Sequence, residues 1–276
     1  MQLGIFARTF PGSTPLGVLS AARRAGYAGV QYNMACSGPS PLPTHIDAAT
    51  AEAVREAARR SGVEIIAVSA TYNMVHPDMA VRHQGRAAFA AIAGAARDIG
   101  TNLLTVCSGS LDAQDQWRHH PGNATKAAWA DMCCEFALLL AIAETQDIYI
   151  GIEPELANVV SSAAKARSLL DTFNSDRLRI VLDPANLFEV ETASRRAAII
   201  DAAVELLADQ LVMAHAKDRD ASGGFATAGH GVIDFGHFLR ALHSVGFAGP
   251  LVTHGLRADE APGVAGFLQQ QMAQLP

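Results

Sequence analysis

The chain has 276 residues, of which 50% are hydrophobic and 17% charged, a mixture that can bury a large core and excludes a mainly disordered protein. Twenty-one Lys and Arg residues against 27 Asp and Glu residues give a net charge of −6, which argues against a nucleic-acid partner. The four cysteines form no CxxC pair, and neither a signal-peptide pattern nor a membrane-length apolar run is visible, so we expect a cytoplasmic protein with no membrane partner.

Short apolar runs alternate along the chain with longer stretches rich in Ala, Leu and Arg. The runs lack polar alternation, as is typical of strands covered on both faces, and they predict strands at 3–7, 29–32, 64–69, 102–107, 148–153, 178–183, 210–215 and 250–254. The longer stretches have helical spacing and predict helices at 16–25, 48–60, 81–99, 124–144, 163–172, 194–207, 234–245 and 261–273.

Eight strands in strict alternation with eight helices predict an α/β fold, a (β/α)8 TIM barrel formed by a single domain over residues 1–276. An open doubly wound sheet normally carries a Gly-x-Gly-x-x-Gly turn after its first strand, and residues 7–10 read Ala-Arg-Thr-Phe. The longest loops, 108–123 and 217–233, follow the fourth and seventh strands. They lie on the face where barrel enzymes place their chemistry and are candidate lids.

Four consecutive predicted strands end in an ionisable side chain: Glu153, Asp183, His215 and His254. Neighbouring strands lie about 4.8 Å apart, so these side chains can converge on one ion at the barrel mouth. A single polar residue at a strand end is most simply a hydrogen-bonded one, but four facing one mouth are costly to bury without a cation. Mixed carboxylate and imidazole ligation favours Mn, Co, Zn or Fe, with Mg retained as a candidate, and disfavours Ca.

These strand ends, together with the His215-Ala216-Lys217-Asp218 run and residues 229–235 (Gly-His-Gly-Val-Ile-Asp-Phe), resemble the xylose isomerase-like barrel superfamily. Within it the chain is most similar to the sugar phosphate isomerase/epimerase group, over essentially its whole length. The resemblance implies one divalent ion held by a Glu, an Asp, a His and a second Glu, and it implies a homo-oligomer, since such barrels are often dimers or tetramers.

Two positions depart from that family pattern. His254 stands where the family usually has its second Glu, and Asn186 stands where the related ketose epimerases usually have a substrate-binding His. An amide can still hydrogen-bond a substrate oxygen, but it does not titrate near neutral pH. His254 is interpreted first as the fourth metal ligand and second as an acid on the opposite face of the substrate.

The leading hypothesis is therefore a divalent-metal-dependent isomerase or epimerase acting on a sugar or related hydroxy-carbonyl compound. The ion would polarise the carbonyl and stabilise an enediolate, and Glu153 would act as both ligand and base, with His254 as the second catalytic candidate. A lyase of the same fold that expels a hydroxyl from the substrate, and a non-catalytic sugar-binding barrel, remain open alternatives. A multinuclear phosphodiester hydrolase is disfavoured by the acidic net charge and the small number of ligands.

Further residues are candidates for binding the substrate, each with a simpler alternative. Glu155 lies just beyond the fifth strand and is otherwise a solvated carboxylate, and His76 follows the third strand and otherwise caps the next helix. Arg118, next to Trp117 in the long fourth loop, could bind a polyol or an anion or serve only as surface. Lys217 could meet a substrate anion or pair with Asp218. Asn186 completes the candidates.

Overall fold

Eight parallel strands close into a barrel in the computed structural model, which describes residues 1–38 and 40–276. The barrel strands are β1 (Leu3–Phe6), β2 (Gly29–Tyr32), β3 (Glu64–Ser69), β4 (Leu103–Val106), β5 (Tyr149–Ile152), β6 (Leu178–Leu182), β7 (Leu211–Ala216) and β10 (Leu251–Thr253). Their order around the barrel follows the chain, and β1 pairs with β10 to close it, with Leu3 opposite Leu251. All eight strands therefore point their carboxyl ends at one rim.

Eight helices surround the strands: α1 (Pro15–Arg24), α2 (Ala48–Ser61), α3 (Met79–Ile99), α4 (Lys126–Gln146), α5 (Ala163–Phe173), α6 (Ala193–Leu207), α7 (Phe235–Ser244) and α8 (Ala261–Met272). Most begin at a side-chain oxygen that accepts a backbone N–H of the first turn, as Asp47 does for α2 and Thr125 for α4. Across the residues described here, no helix has both the length and the apolar composition needed to cross a membrane.

The predicted barrel is confirmed, and each predicted strand and helix lies within two residues of the observed one. The structure adds a short antiparallel hairpin, β8 (Asp218–Arg219) and β9 (Phe225–Ala226), inside the loop after β7. This segment was expected to be a loop, because two-residue strands are too short to show an alternating pattern.

The inside of the barrel is filled by strand residues. Ile66, Leu103, Val181, Met213 and Val252 belong to a buried cluster separate from the larger core between strands and helices. Gly29 makes room for this packing, since a Cβ there would lie 2.5 Å from Ile66 Cδ1. The filled interior leaves the rim at the carboxyl ends of the strands as the place for chemistry.

Two glycines of α3 allow a matched test of the helix packing. A Cβ on Gly85 would lie 2.5 Å from Cγ of the Tyr72 ring, whereas a Cβ on Gly94 would meet only Gln146 Oε1 at 4.0 Å. We expect Gly85→Ala to lower the free energy of unfolding by roughly 1–3 kcal/mol through overpacking. Gly94→Ala should raise it by up to about 1 kcal/mol through helix propensity. Urea unfolding of both variants measures this, and equal effects would contradict the packing.

Candidate active site

The four ionisable strand ends meet at one point of the rim. Glu153 directly follows β5, Asp183 follows β6 and His254 follows β10, while His215 lies near the end of β7. The strand register places these residues at a similar height along the barrel axis, since Val252 pairs with His215 and Leu182 pairs with Ala214. One ligand atom from each of Glu153, Asp183, His215 and His254 lies within 4.8 Å of the others. The sequence analysis predicted this convergence, and the cluster could hold a metal ion.

Two atoms of this cluster are buried without a partner among the residues the structure describes. Asp183 Oδ1 accepts the backbone N–H of Ala185 at 2.9 Å, but Oδ2 has no hydrogen bond. His254 Nε2 also has none, and it lies 3.6 Å from Asp183 Oδ2. Buried polar atoms are normally satisfied, so two that face each other without a hydrogen bond are costly. A divalent cation between these donors would satisfy both, and the donor set fits one.

A chain of hydrogen bonds behind the cluster fixes how His215 presents its ring. Gln31 donates from Nε2 to Thr105 Oγ1 at 2.8 Å, which turns its Oε1 toward His215 Nε2, also at 2.8 Å. His215 therefore donates from Nε2 and directs Nδ1 at Glu153 Oε1, 3.1 Å away. This is the arrangement of a metal-binding histidine whose outer nitrogen is held by a second polar group.

The ionisable groups of the cluster shift one another's pKa values. Burial opposes ionisation of Glu153, but the charge and hydrogen bond of His215 keep the pKa of this carboxyl below its usual range. Burial likewise opposes the charged form of Asp183, and His254 and Lys217 lower its pKa. Burial of His215 opposes its charged form, but the charge of Glu153 raises the pKa of His215 above its usual value. Burial lowers the pKa of His254. The cluster thus offers two carboxylates and a neutral His254 imidazole at neutral pH.

A cavity of about 370 Å³, termed the catalytic cavity, opens above the four residues. Three aromatic side chains border it, with Trp117 and Phe225 half exposed at 50% and 53% and Phe6 behind His254. The other lining residues are polar or charged: Gln31, Ser69, Thr71, Thr105, Cys107, Glu153, Glu155, His215, Lys217 and His254. Aromatic faces combined with converging polar groups are typical of a site for a small polar molecule.

Lys217 and Asp218 have separate roles after β7. The carboxylate of Asp218 accepts the backbone N–H groups of Gly229, Gly231 and Ile233 at 2.9–3.1 Å, which clamps the loop. The alternative of a Lys217–Asp218 ion pair is therefore not observed. Lys217 is 7% exposed, lines the catalytic cavity and places Nζ 3.4 Å from the centre of the Phe225 ring.

The other predicted substrate-binding residues fall in different places. Glu155 is 9% exposed and lines the catalytic cavity. Asn186 is buried behind Glu153 and donates from Nδ2 to its Oε1 at 2.9 Å, so it orients this carboxylate. His76 lies outside the catalytic cavity, and its Nδ1 accepts the backbone N–H of Asp78, whereas α3 is capped by the Asp78 side chain. Arg118 turns away to an ion pair with Asp112 at 3.2 Å.

The sequence analysis missed Gln31, Thr105 and Phe225. Gln31 could have been identified from the sequence, because it is an amide inside the otherwise apolar predicted strand at 29–32. Thr105 had a weaker one, as a hydroxyl in the buried run of β4. Phe225 had none, since its position over Lys217 depends on the β8–β9 hairpin.

Comparison with known proteins agrees with this geometry. The model of the xylose isomerase-like TIM barrel family matches residues 19–271. The chain belongs to this family. No curated protein sequence matches it.

Similar solved structures cover nearly the whole chain of this xylose isomerase-like barrel. The 3-keto-D-glucoside 4-epimerase YcjR from E. coli has a TM-score of 0.78 at 15% identity, covering 98% of this chain and 99% of its own. An L-ribulose 3-epimerase has a TM-score of 0.77 at 16% identity, covering 99% and 94%. The IolI protein with a bound zinc atom has a TM-score of 0.74 at 16% identity, covering 100% and 99%. At such identities the likeness shows a shared fold.

The buried carboxyl of Glu155 gives the metal-free protein a pH-dependent stability. Burial and the neighbouring charge of Glu153 raise the pKa of Glu155 from 4.5 to about 7. The folded chain therefore binds more protons than the unfolded chain, and its free energy of unfolding should fall as pH rises from about 4.5 to 7, by at most roughly 3 kcal/mol. Glu155→Gln should flatten this fall in chelator-treated protein, measured by urea unfolding from pH 4 to 8. Glu205→Gln, exposed on α6, is the control, and an unchanged slope in Glu155→Gln would contradict the assignment.

Proposed function

We propose that this protein is a divalent-metal-dependent isomerase or epimerase of a sugar or related hydroxy-carbonyl compound. The observation that carries the proposal is the cluster of Glu153, Asp183, His215 and His254 under a cavity at the carboxyl rim of a xylose isomerase-like barrel. The epimerases among the similar structures, and the zinc atom in IolI, agree with this class of reaction.

Glu153, Asp183, His215 and His254 would hold the ion, with His254 in the position of the family's second Glu. The orphaned Asp183 Oδ2 and His254 Nε2 support this set, as does the fixed direction of His215 Nδ1. When bound, a divalent ion supplies a Lewis acid that polarises a carbonyl and stabilises negative charge on the adjacent oxygen. The donor set favours Mn, Co, Zn or Fe, with Mg as a further candidate.

Glu153 is the proposed base that removes the proton from the hydroxyl-bearing carbon. Its Oε1 accepts a hydrogen bond from Asn186 Nδ2 at 2.9 Å, which orients the carboxylate. Its other oxygen, Oε2, lies 3.9 Å from Cys107 Sγ, and burial raises the pKa of that thiol well above its ordinary value. Cys107 is therefore a protonated neighbour and no nucleophile. A fixed carboxylate at the cavity wall can return the proton to the adjacent carbon, which isomerises the sugar, whereas epimerisation needs an acid on the opposite face, the second role assigned to His254.

The cavity wall indicates how the substrate is recognised. Lys217 and Glu155 offer a charged donor and a carboxyl group to the hydroxyl or carbonyl oxygens of a sugar, and Phe6, Trp117 and Phe225 offer apolar surface to its C–H faces. His254, a neutral imidazole next to Asp183, is assigned as a ligand first, with acid catalysis from the opposite face as its second role.

Metal content is the first test of the proposal. Protein purified without chelator should carry about one equivalent of a divalent transition metal by elemental analysis. His215→Ala and Asp183→Asn should each lose it, because each removes one of four donors from a buried site. His254→Glu should keep the ion, since it restores a carboxylate at the fourth position.

Glu260→Gln is a matched control, as this half-buried carboxylate accepts a hydrogen bond from Thr227 and is not part of the cluster. It should retain metal like the unchanged chain. Absence of metal after purification, with no uptake of added Mn²⁺ or Zn²⁺, would overturn the metalloenzyme proposal and favour a non-catalytic sugar-binding barrel.

Proton exchange tests the reaction itself. Incubating the metal-loaded protein with a panel of ketoses and aldoses in D₂O should place deuterium on the carbon next to the carbonyl, detected by NMR and mass spectrometry. Glu153→Gln should reduce exchange by at least about 100-fold, in keeping with the contribution of a positioned base. An isomer of equal mass supports isomerisation or epimerisation. A product lighter by one water would show the lyase alternative instead, and exchange unchanged in Glu153→Gln would remove this residue from its role.

A further inference from the structure

A second cavity of about 480 Å³ adjoins the catalytic cavity on the side of β3 and β4. The two share Thr71 and Trp117 as wall residues, so they are neighbours separated by one hydroxyl and one indole ring. Trp117 is half exposed, and its ring borders both spaces. The second cavity is larger than the catalytic cavity, and no step of the proposed reaction uses it.

The lining of the second cavity is rich in uncharged polar groups. Gln84 reaches it from the exposed face of α3, and Gln114 and Gln116 reach it from the loop after β4. Gln116 Oε1 is buried and has no hydrogen-bond partner among the described residues. The exposed amides of Gln84 and Gln114 are the groups that the hydroxyls of a ligand can reach in this cavity. Amides beside a half-exposed indole suit a polyhydroxylated ligand with apolar C–H faces.

The wall that carries Gln116 and Trp117 is fixed in place before any ligand binds. Asn158 accepts the backbone N–H of Gly109 at 2.8 Å and donates to the backbone carbonyl of Gln116 at 2.9 Å. Asn73 exchanges two hydrogen bonds with the backbone of Ser110, at 2.7 and 3.1 Å. The expected lid after the fourth strand is thus pinned at both ends, and the second cavity is a preformed space.

We propose that the second cavity is a sugar-binding subsite, so that the substrate is a disaccharide-sized glycoside whose carbonyl-bearing ring occupies the catalytic cavity and whose second ring lies beyond Trp117. This inference rests on the proposed function, since it assigns the reacting ring to the metal cluster. Gln84 and Gln114 would bind hydroxyls of the second ring, and Trp117 would separate and contact both rings.

Ketose disaccharides test the subsite against a matched monosaccharide. Calorimetric titration of the metal-loaded protein should show that at least one of lactulose, maltulose and isomaltulose binds about tenfold or more tightly than D-fructose. Gln84→Trp fills the subsite from an exposed position of α3 and should abolish that preference. Ala113→Trp, on the opposite wall, should do the same.

His83→Trp is the control, since His83 is exposed on the same helix next to Gln84 and does not line the cavity. It should leave both affinities unchanged. Equal affinity for disaccharides and fructose, or a preference that survives both blocking variants, would overturn the subsite.

The proton-exchange assay separates this failure from failure of the proposed function. Exchange on monosaccharides without any preference for disaccharides would leave the proposed function standing and remove the subsite. A disaccharide preference that the blocking variants abolish, in a protein that exchanges no proton on any sugar, would retain the subsite and remove the isomerase.

Discussion

Two carboxylates and two imidazoles converge at one point of the barrel rim, with Asp183 and His215 fully buried, and this arrangement constrains the surrounding residues. Asp183 and His254 face each other with an orphaned atom on each side, and Glu153 and His215 form the second pair. Isolated charges at such depth would be strongly unfavourable, so the neighbouring groups either compensate them or fix their directions. Gln31 fixes the direction of the His215 ring by accepting its Nε2–H. The positive charge of Lys217 helps to compensate the charge of Asp183.

The position of the four side chains depends on the barrel more than the barrel depends on them. Parallel strands end at one rim, and the register between β6, β7 and β10 sets their last residues at the same height. Glu153, Asp183 and His254 each come directly after a strand, so the strand ends set where the four side chains meet. The loops instead provide the aromatic and amide surface that surrounds a substrate, and the asparagine contacts after β3 and β5 hold them.

Sequence alone was sufficient for the parts of the molecule whose signals are local. Apolar runs identified all eight barrel strands, and their polar ends identified Glu153, Asp183, His215 and His254, because strand closure brings successive ends together. It was insufficient where position depends on contacts between distant segments. Arg118 was expected at a substrate but pairs with Asp112, and Phe225 reaches the mouth only through a hairpin that has no periodic pattern. The second cavity also depends on contacts between distant segments, because it forms between α3 and the loop after β4, which Asn73 and Asn158 hold in place.

The clamp at Asp218 has a consequence for how this barrel can diversify. Its carboxylate fixes the far end of the loop through three backbone N–H groups, next to the peptide that carries Lys217. Between these anchors, the tip at 220–224 is a self-contained turn in which Asp220 accepts the N–H groups of Ser222 and Gly224. We therefore expect that this tip can be shortened, extended or exchanged without moving Glu153, Asp183, His215 or His254. Replacing residues 220–224 is therefore a way to alter which molecules enter the barrel without altering the residues at the strand ends.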